Sequence, residues 1–324
     1  MKVVVVGAGL SGLTAAVLLK EQGHDVEVFE TKEHLGGHCH DGWWQGILVQ
    51  WFGPHIFHTN DLDCWNFVNR YTSFYNFHHL VVAQTDIGMF NIPFNFFSQK
   101  WLGRDLSDKE LVDAVYRGYS EKMWGMKWED LPSHITKRVP ARRSGYDCRY
   151  TTDMYHGVPV AGYHVMFKAM AEGLIVHLGV KRNDWMRVDA DFVVYTGKLD
   201  EFFEFRDGVL EYRSLRFENH GAARREFPII NECRRDKPWI RSTDHSFWTD
   251  KACSYTIVTH EYPCDHDEEN DPFYPKPWGV NADLAVTYRK YAASVSNVKF
   301  LGRLATYTYL DMNMVVEKAL KEFK

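Results

Sequence analysis

The first forty residues place the strongest constraint on how this chain can fold. An apolar run, Val3–Val6, leads directly into Gly7-Ala8-Gly9-Leu10-Ser11-Gly12, and a helix-like segment follows over residues 13–20. A second run, Val26–Phe29, ends at Glu30. This order predicts a strand, a tight turn, a helix, a second strand and an acid, which is the pattern of a dinucleotide-binding βαβ unit.

The three glycines of this turn have separate tasks in such a unit. Gly7 permits the turn, Gly9 lets the backbone approach a pyrophosphate, and Gly12 lets the helix pack closely on the strands. The helix N-terminus offers free N–H groups to phosphates. Glu30 lies 18 residues after Gly12, where a carboxylate can accept hydrogen bonds from a ribose. The alternative is a glycine-rich turn in an ordinary βαβ unit, but the context favours dinucleotide binding.

A second glycine pair, Gly36-Gly37, narrows the choice of dinucleotide. Glycines just after the acid of the second strand are typical of flavoproteins with two dinucleotide-binding domains, and the segment resembles their N-terminal signature. The pair therefore favours FAD over NAD as the tightly bound cofactor. We expect an α/β fold of the FAD-binding Rossmann-like type.

Composition limits the other classes of function. With 324 residues the chain is long enough for two or three domains, and its net charge of −5 argues against a general nucleic-acid surface. No apolar run reaches the ~20 residues of a membrane span. The six cysteines form no CxxC motif, so reduced thiols in a cytoplasmic enzyme are the simplest interpretation.

Later segments predict the rest of the architecture. Ser107-Asp108-Lys109-Glu110 fits a capping box inside a small helical insertion at about 96–137, and Gly125 is a plausible helix stop. Alternating apolar and polar residues at 210–217, 229–233 and 254–259 predict a separate antiparallel sheet. Asp311 is a plausible N-cap for a last helix over 312–323.

Some residues invite chemical interpretation before any family is considered. His38-Cys39-His40 lacks a fourth ligand at a usual spacing, so we predict no metal site. His55 and His58 in a Gly-Pro loop are either hydrogen-bonded structure or part of an active site. The basic cluster over 137–143 is either solvated surface or a clamp for phosphate oxygens.

The chain resembles the UDP-galactopyranose mutase family over nearly its whole length. Matching strings occur in the family's order. They are GPHIFHTND (53–61), NIPFN (91–95), GYSEKMWG (118–125), KRVPAR (137–142), residues 210–218, DPFYP (271–275), GRLATY (302–307) and YLDM (309–312).

The resemblance implies an isomerase that interconverts UDP-galactopyranose and UDP-galactofuranose with no net redox change. In that family, N5 of reduced FAD attacks the anomeric carbon, so an external reductant is implied, for which NADPH and NADH are candidates. One alternative on the same fold is an oxidoreductase similar to flavin amine oxidases. Another is a non-catalytic binding protein similar to Rab GDP-dissociation inhibitors, which the intact glycine motifs argue against.

The resemblance also implies roles for individual residues. Arg142 and Arg241 would clamp the diphosphate, and His55 and His58 would form the loop beside the flavin, so these four are the catalytic candidates. The other substrate-binding candidates are Asn95, Tyr119, Trp124, Tyr155, Tyr274 and Tyr309. The cofactor-binding candidates are Gly7, Gly9, Gly12, Glu30, Gly36, Gly37, His38, Gly302, Arg303, Asp311 and Met312.

The expected division of the chain follows from the same comparison. The FAD-binding domain would comprise 1–70, 156–205 and 280–324, the helical domain 96–137, and the antiparallel sheet domain 71–95, 138–155 and 206–279. The segment between Asn95 and Gly118 is shorter than in ordinary bacterial members. Because that domain makes their dimer contact and carries their substrate loop, a homodimer is left open here.

Overall fold

The structure is a computed structural model that describes residues 1–137, 141–249 and 253–324. The strands in the first half are β1 (Lys2–Val6), β2 (Asp25–Phe29), β3 (Asp41–Trp44), β4 (Ile47–Gln50), β5 (Phe57–Thr59), β6 (Phe74–Tyr75), β7 (Val81–Thr85), β8 (Gly88–Ile92), β9 (Phe94–Asn95), β10 (Ala141–Arg142) and β11 (Tyr155–Pro159). Those in the second half are β12 (Ile175–His177), β13 (Phe192–Tyr195), β14 (Tyr212–Ala223), β15 (Ile229–Glu232), β16 (Arg241–Asp244), β17 (Tyr255–Asp265), β18 (Tyr274–Pro275) and β19 (Val298–Phe300).

Helices connect and cover these strands. They are α1 (Leu10–Glu21), α2 (Leu62–Asn69), α3 (Phe96–Leu102), α4 (Asp108–Leu111), α5 (Gly118–Trp124), α6 (Ser133–Thr136), α7 (Tyr163–Ala171), α8 (Leu199–Phe202), α9 (Val280–Ser294), α10 (Gly302–Ala305) and α11 (Met312–Phe323). A π-helical segment, Val112–Arg117, joins α4 to α5.

A parallel sheet forms the dinucleotide-binding half. Its strands lie in the order β12–β2–β1–β13–β19, with β1 parallel to both β2 and β13. β1 is a run of buried valines, and this suits a strand that is covered on both faces. The α/β fold expected from the sequence is confirmed.

A second, larger sheet is mostly antiparallel, as the alternating segments predicted. Its order is β18–β14–β17–β16–β15–β7–β8, and β14 and β17 form its longest pair. One neighbouring pair, β15 and β7, is parallel. The sequence pattern did not reveal this pair, because register across distant segments is set by tertiary packing.

A small third sheet crosses the expected domain limits. β11 pairs antiparallel with β5 on one side and with β6 on the other. These strands come from ranges that the sequence assigned to the FAD-binding domain and to the sheet domain. The three-domain division stays a prediction.

Two local signals inside the helical insertion are seen in the structure, whereas its limits at about 96–137 stay a prediction. Ser107 accepts from the backbone N–H of Glu110, and the Glu110 side chain accepts from the N–H of Ser107, so the capping box is confirmed. Gly125 ends α5 in the left-handed conformation, with φ 64°. The last helix begins at Met312 after Asp311, also as predicted. Arg138 and the rest of 138–140, part of the basic cluster, lie outside the described residues.

Helix length limits what the described residues can do at a membrane. Within 1–137, 141–249 and 253–324, no helix is long and apolar enough to cross a bilayer.

We expect Gly12→Ala to remove most bound flavin and to lower thermal stability. A methyl group built on Gly12 would lie 1.9 Å from the carbonyl oxygen of Gly7, so the turn would have to move. Overpacking of this kind costs about 1–3 kcal/mol. Flavin absorbance per chain and a melting curve would measure both effects. Gly145→Ala is the control, since its added methyl would meet its nearest neighbour at 3.4 Å. A fully flavin-loaded Gly12→Ala protein with unchanged melting would contradict the argument.

Candidate active site

The glycine turn after β1 is closed so tightly that side chains are excluded. Gly7 has φ 102°, and a methyl group on it would lie 2.1 Å from the hydroxyl of Thr196. Gly9 forms a bridge with Gly36, and a methyl group on Gly37 would lie 3.3 Å from Cα of Gly9. The two glycine motifs therefore meet, and together they leave bare backbone for a ligand to approach.

The first turn of α1 has N–H groups available for an anion. Gly9 is the N-cap residue and has no side chain to accept from them. The helix dipole adds a partial positive charge at the same end. A pyrophosphate fits this end of α1 in both shape and charge.

Glu30 closes the motif at the end of β2. Its Oε2 accepts from the backbone N–H of Ala8 at 2.7 Å, and its Oε1 accepts from the N–H of Lys32 at 2.9 Å. The carboxylate is only 8% exposed. It therefore fixes the glycine turn to the second strand, and its ribose contact stays a prediction.

A cavity of about 1250 Å³ runs along this motif. Among the predicted cofactor residues, its wall includes Gly7, Gly9, Glu30, Gly36, Gly37, His38, Gly302, Arg303 and Met312. His55 lines it as well, whereas Gly12 and Asp311 lie behind the wall. The glycine cradle and the cavity fit a dinucleotide such as FAD.

Two histidines bordering the cavity are held neutral. The His38 ring stacks on Phe273 at 4.0 Å between centroids, and burial lowers its pKa to about 3 although Asp271 opposes the shift. Burial also lowers the pKa of His55 to about 4. The Nδ1 of His55 donates to the carbonyl of Gly53 at 2.8 Å, as its neutral form allows. Neither ring carries charge at pH 7.

Arg303 joins the cavity to the larger sheet. Its Nη1 donates to the carbonyl of Phe273 at 3.0 Å, and its Nη2 donates to the carbonyl of Leu310 at 2.7 Å. The guanidinium carbon lies 5.2 Å from the ring centroid of Tyr274 and 5.0 Å from that of Tyr309. The two tyrosine rings are nearly parallel, with centroids 6.0 Å apart. Two predicted substrate residues are thus brought together beside the cofactor cavity.

Arg241, at the start of β16, is held by three side chains. Its Nε donates to Asn231 at 3.2 Å, its Nη1 to Glu261 at 3.3 Å and its Nη2 to the hydroxyl of Tyr119 at 3.0 Å. A guanidinium has five N–H donors, so two of them have no partner among the described residues and can serve a ligand. Arg241 and Tyr119, predicted separately, are therefore neighbours.

Sequence reasoning missed Glu261. It is 1% exposed, and burial raises its pKa while Arg241 opposes the shift. Its Oε1 has no hydrogen-bond partner among the described residues. A methyl group built on Gly53 would lie 3.1 Å from this oxygen, which places Glu261 beside the loop that carries His55. An acid at an inward position of the alternating strand β17 is the signal that could have found it.

Arg142 is held by backbone carbonyls. It lies on β10, which pairs with β9, and its Nη1 and Nη2 donate to the carbonyls of Arg149 at 2.6 Å and Tyr150 at 3.3 Å. Tyr150 and Arg241 line one small cavity of about 60 Å³. Arg142 is not among the residues that line this cavity, so Tyr150 is the neighbour that links the two predicted clamp arginines. The neighbouring Arg143 instead forms ion pairs with Asp105 at 2.8 Å and Asp108 at 2.5 Å.

Trp124 lies at the end of α5 in an aromatic cluster. Its ring meets Trp278 edge to face at 4.8 Å and Tyr274 at 6.4 Å between centroids. Trp278, which the sequence did not single out, thus packs against one of the predicted substrate-binding residues. Tyr119, Trp124 and Tyr274 pack around one apolar cluster, Tyr274 stacks with Tyr309, and Tyr119 accepts from Arg241. These five predicted residues therefore form one group.

Three other predicted residues line neither cavity as far as the described residues define the walls, which is also true of Arg142, Tyr119, Trp124, Tyr274 and Tyr309. His58 pairs its Nδ1 with Asp153 at 2.6 Å. Tyr155 stacks on Trp65 at 5.7 Å. Asn95 is fully buried, and its side-chain oxygen accepts from the first turn of α3. The structure gives each of them a structural contact, and their roles toward a ligand stay predictions.

The described ranges also bear on metal binding. In them, no group of three or more His, Cys, Asp or Glu side chains is arranged to hold a metal ion.

Comparison with protein families gives two matches. The sequence model of the UDP-galactopyranose mutase family matches residues 114–309. The model of the NAD(P)-binding Rossmann-like domain matches residues 5–71, the segment of the glycine motif.

Individual proteins with known names agree with these matches. The chain is 31% identical to a probable UDP-galactopyranose mutase of Klebsiella pneumoniae, over 98% of this chain and 93% of that protein. It is 28% identical to the dTDP-fucopyranose mutase of Escherichia coli, over 99% and 97%. A solved structure of reduced UDP-galactopyranose mutase has a TM-score of 0.76 at 14% identity and covers 99% of this chain and 93% of its own. At that identity the structural match shows the fold.

We expect Glu30→Ala to lower the amount of FAD that copurifies with the chain. The change removes the acceptor for two backbone N–H groups as well as the predicted ribose contact, and each buried N–H left unpaired costs about 1–3 kcal/mol. Flavin absorbance per chain is the measurement. Glu27→Ala on the same strand is the control, because Glu27 pairs with Lys2 and His177 away from the turn. Full flavin loading of Glu30→Ala would count against the ribose role.

Proposed function

Because the chain belongs to the UDP-galactopyranose mutase family, we propose that it interconverts UDP-galactopyranose and UDP-galactofuranose on reduced FAD. The observation that carries the proposal is the continuity of the candidate site. The glycine-lined cavity leads past Arg303 to Tyr274 and Tyr309, and Trp124 connects Tyr274 with the helix that carries Tyr119 beside Arg241. A sugar held at that junction would lie between a flavin and a diphosphate site.

The bound, reduced FAD would supply a nucleophilic N5 for attack on the anomeric carbon. The chain's own part is to hold the sugar in line with it and to accept the charge of the departing diphosphate. Holding reactants in a productive geometry and stabilising developing charge are the two largest contributions that such a site can make.

Arg241 is well suited to the diphosphate. Three of its N–H donors are already engaged, and these contacts fix the plane of the guanidinium before a ligand arrives. Its remaining two donors can bind phosphate oxygens without further ordering. Arg142, the second predicted clamp arginine, would bind the same group.

The residues around the flavin end would favour an anionic, reduced cofactor. The first turn of α11 borders the cavity through Met312 and Val315, and its end carries the partial positive charge of the helix dipole. His38 and His55 are neutral there, so they would hydrogen-bond or pack without adding a charge of their own.

The sugar would meet hydroxyl donors that stay protonated. Burial raises the pKa of Tyr274, so its hydroxyl remains a donor across the physiological range. Trp124, packed against Tyr274 and Trp278, would exclude water from the same face. Exclusion of water matters because a sugar detached from its nucleotide is open to hydrolysis.

The nucleotide is a separate question from the reaction. The similarity to a dTDP-fucopyranose mutase makes dTDP-sugars the natural second substrates to compare. The source of electrons, a cytoplasmic location and a homodimer stay predictions from the sequence.

The proposal predicts turnover only after flavin reduction. One anaerobic sample would be divided, treated with or without dithionite, given UDP-galactofuranose and followed by chromatography of UDP-galactopyranose. We expect conversion in the reduced half alone, because the oxidised flavin lacks a nucleophilic N5. A reducible yellow protein that converts dTDP-fucofuranose but not the UDP-sugar would move the substrate assignment. Inertness toward both would overturn the proposed function.

We expect Arg142→Ala to lower kcat/KM by orders of magnitude while flavin content stays at the wild-type level. Loss of one partner of a buried arginine–phosphate pair typically costs about 2–5 kcal/mol. Steady-state kinetics with dithionite would measure it. Arg149→Ala is the matched control, since that side chain bonds Asp147 and only its carbonyl contacts Arg142. An unchanged kcat/KM in Arg142→Ala would rule out the clamp.

A further inference from the structure

Lys122 occupies an unusual cage of carbonyl oxygens. Its Nζ donates to the carbonyls of Glu232 at 2.8 Å, Arg234 at 2.8 Å, Lys237 at 3.1 Å and Trp239 at 2.8 Å. An ammonium group has three N–H donors, so at least one proton is shared between two oxygens. In the part of the chain that the structure describes, no carboxylate forms an ion pair with Lys122.

The caged carbonyls all belong to the turn between β15 and β16. Trp239 precedes Arg241 by two residues, so the hydrogen bonds from Lys122 hold the segment that leads into this candidate clamp arginine. The turn is also fixed from behind, since Ile240 donates its N–H to the carbonyl of Glu261 at 2.9 Å. The position of Arg241 therefore depends on where this turn is held.

The other end of the tie is α5, which carries Tyr119 and Trp124. Lys122 follows Gly118 by four residues and shares its face of the helix. A methyl group on Gly118 would lie 2.3 Å from the carbonyl of Cys233, so the helix backbone lies directly against the same turn. Lys122 thus anchors the helix of Tyr119 to the strand of Arg241.

Arg213 completes the anchor at the C-terminal end of α5. Its Nε donates to the carbonyl of Met123 at 2.8 Å, its Nη2 to that of Lys122 at 3.3 Å and its Nη1 to Asp265 at 2.6 Å. Arg213 is 4% exposed. The helix is therefore held at its end by one cation and on its side by another.

Lys122 is charged at neutral pH in this setting. Burial lowers its pKa to about 8, and Glu232 opposes the shift. Hydrogen bonds from a charged donor are roughly twice as strong as those between neutral groups. The four carbonyl partners of Lys122 therefore hold α5 firmly against the turn before β16 and fix the orientation of its side chain.

We propose that Lys122 is a positioning residue for the sugar-nucleotide site. By fixing the 232–239 turn against α5, it sets the contact between Tyr119 and Arg241 and orients Arg241 toward the diphosphate. The inference rests on the proposed function for the identity of the ligand. Lys122 itself does not touch the ligand.

The test compares Lys122→Met with wild type as full, FAD-loaded chains, with UDP as the probe in calorimetry. Met keeps the length of the side chain and removes its donors. We expect the Kd for UDP to rise at least about tenfold, as for loss of one good contact, with flavin content unchanged. KM for UDP-galactofuranose should rise with it. Lys122→Arg should restore part of the affinity, because a guanidinium still donates to carbonyls.

A matched control comes from the same helical insertion. Lys109 is exposed on α4, and Lys109→Met makes the same chemical change without a cage. Its Kd for UDP should equal that of wild type. Wild-type affinity in folded Lys122→Met, or loss of affinity in Lys109→Met as well, would overturn the inference.

A double-mutant cycle with Tyr119→Phe separates positioning from general destabilisation. If Lys122 acts through the Tyr119–Arg241 contact, the effect of Lys122→Met on the Kd for UDP should shrink when the Tyr119 hydroxyl is absent. Additive effects would overturn the proposal. If Lys122→Met does not fold, Lys122→Gln, which keeps two N–H donors, carries the same cycle.

The outcomes also separate this inference from the proposed function. Wild-type protein that binds UDP but does not convert UDP-galactofuranose refutes the function, and the UDP affinities still decide the role of Lys122. Wild-type turnover with an unaffected Lys122→Met variant refutes the inference alone. A wild-type chain that binds no UDP refutes both.

Discussion

The guanidinium of Arg303 joins the two parts of the candidate site, which are the dinucleotide cavity and the stacked pair Tyr274 and Tyr309. It donates to the carbonyl of Phe273, just before β18 of the larger sheet, and to that of Leu310, just before α11. Phe273 in turn stacks on His38, which follows the glycine pair. One cation therefore fixes the end of the dinucleotide cavity against Tyr274 and Tyr309. Without it, two carbonyls from different parts of the chain would need other donors, and an unpaired buried carbonyl costs about 1–3 kcal/mol.

Burial and ion pairing both determine which side chains around Arg303 are charged and which are neutral. Arg241 is paired with Glu261 within the protein, yet it keeps unused donors, so a phosphate can bind without first breaking an ion pair. The histidines at the flavin end are neutral because burial opposes their protonation. The arginines keep their charge, because their protonation does not change over physiological pH. In the proposed reaction a diphosphate leaves the sugar. Donors whose charge does not depend on proton transfer nearby can stabilise that leaving group throughout.

The sequence predicted features that are local and failed where distant segments meet. The glycine turn, the Ser107–Glu110 capping box and the start of α11 are set by neighbouring residues, and all three appear in the structure. The parallel pairing of β15 with β7 joins segments about 150 residues apart, and no periodicity encodes it. The cage around Lys122 also could not be predicted from the sequence. Its acceptors are backbone carbonyls, which every residue type provides. A sequence motif singles out Asn95 as a residue that contacts a ligand. The structure shows it buried as the N-cap of α3, and its contact with a ligand stays a prediction.

The positions of Tyr119 and Trp124 depend on contacts that α5 makes in two directions. On one side, α5 reaches the larger sheet at Cys233, at the caged turn and at Arg213. On the other side, Tyr119 packs against the apolar cluster that contains Leu106 and Leu111 of the helical insertion. The insertion also has an exposed aromatic face, with Phe96, Phe97 and Trp101 each more than 40% accessible. The larger sheet and the apolar core of the insertion therefore fix the positions of the predicted substrate residues together.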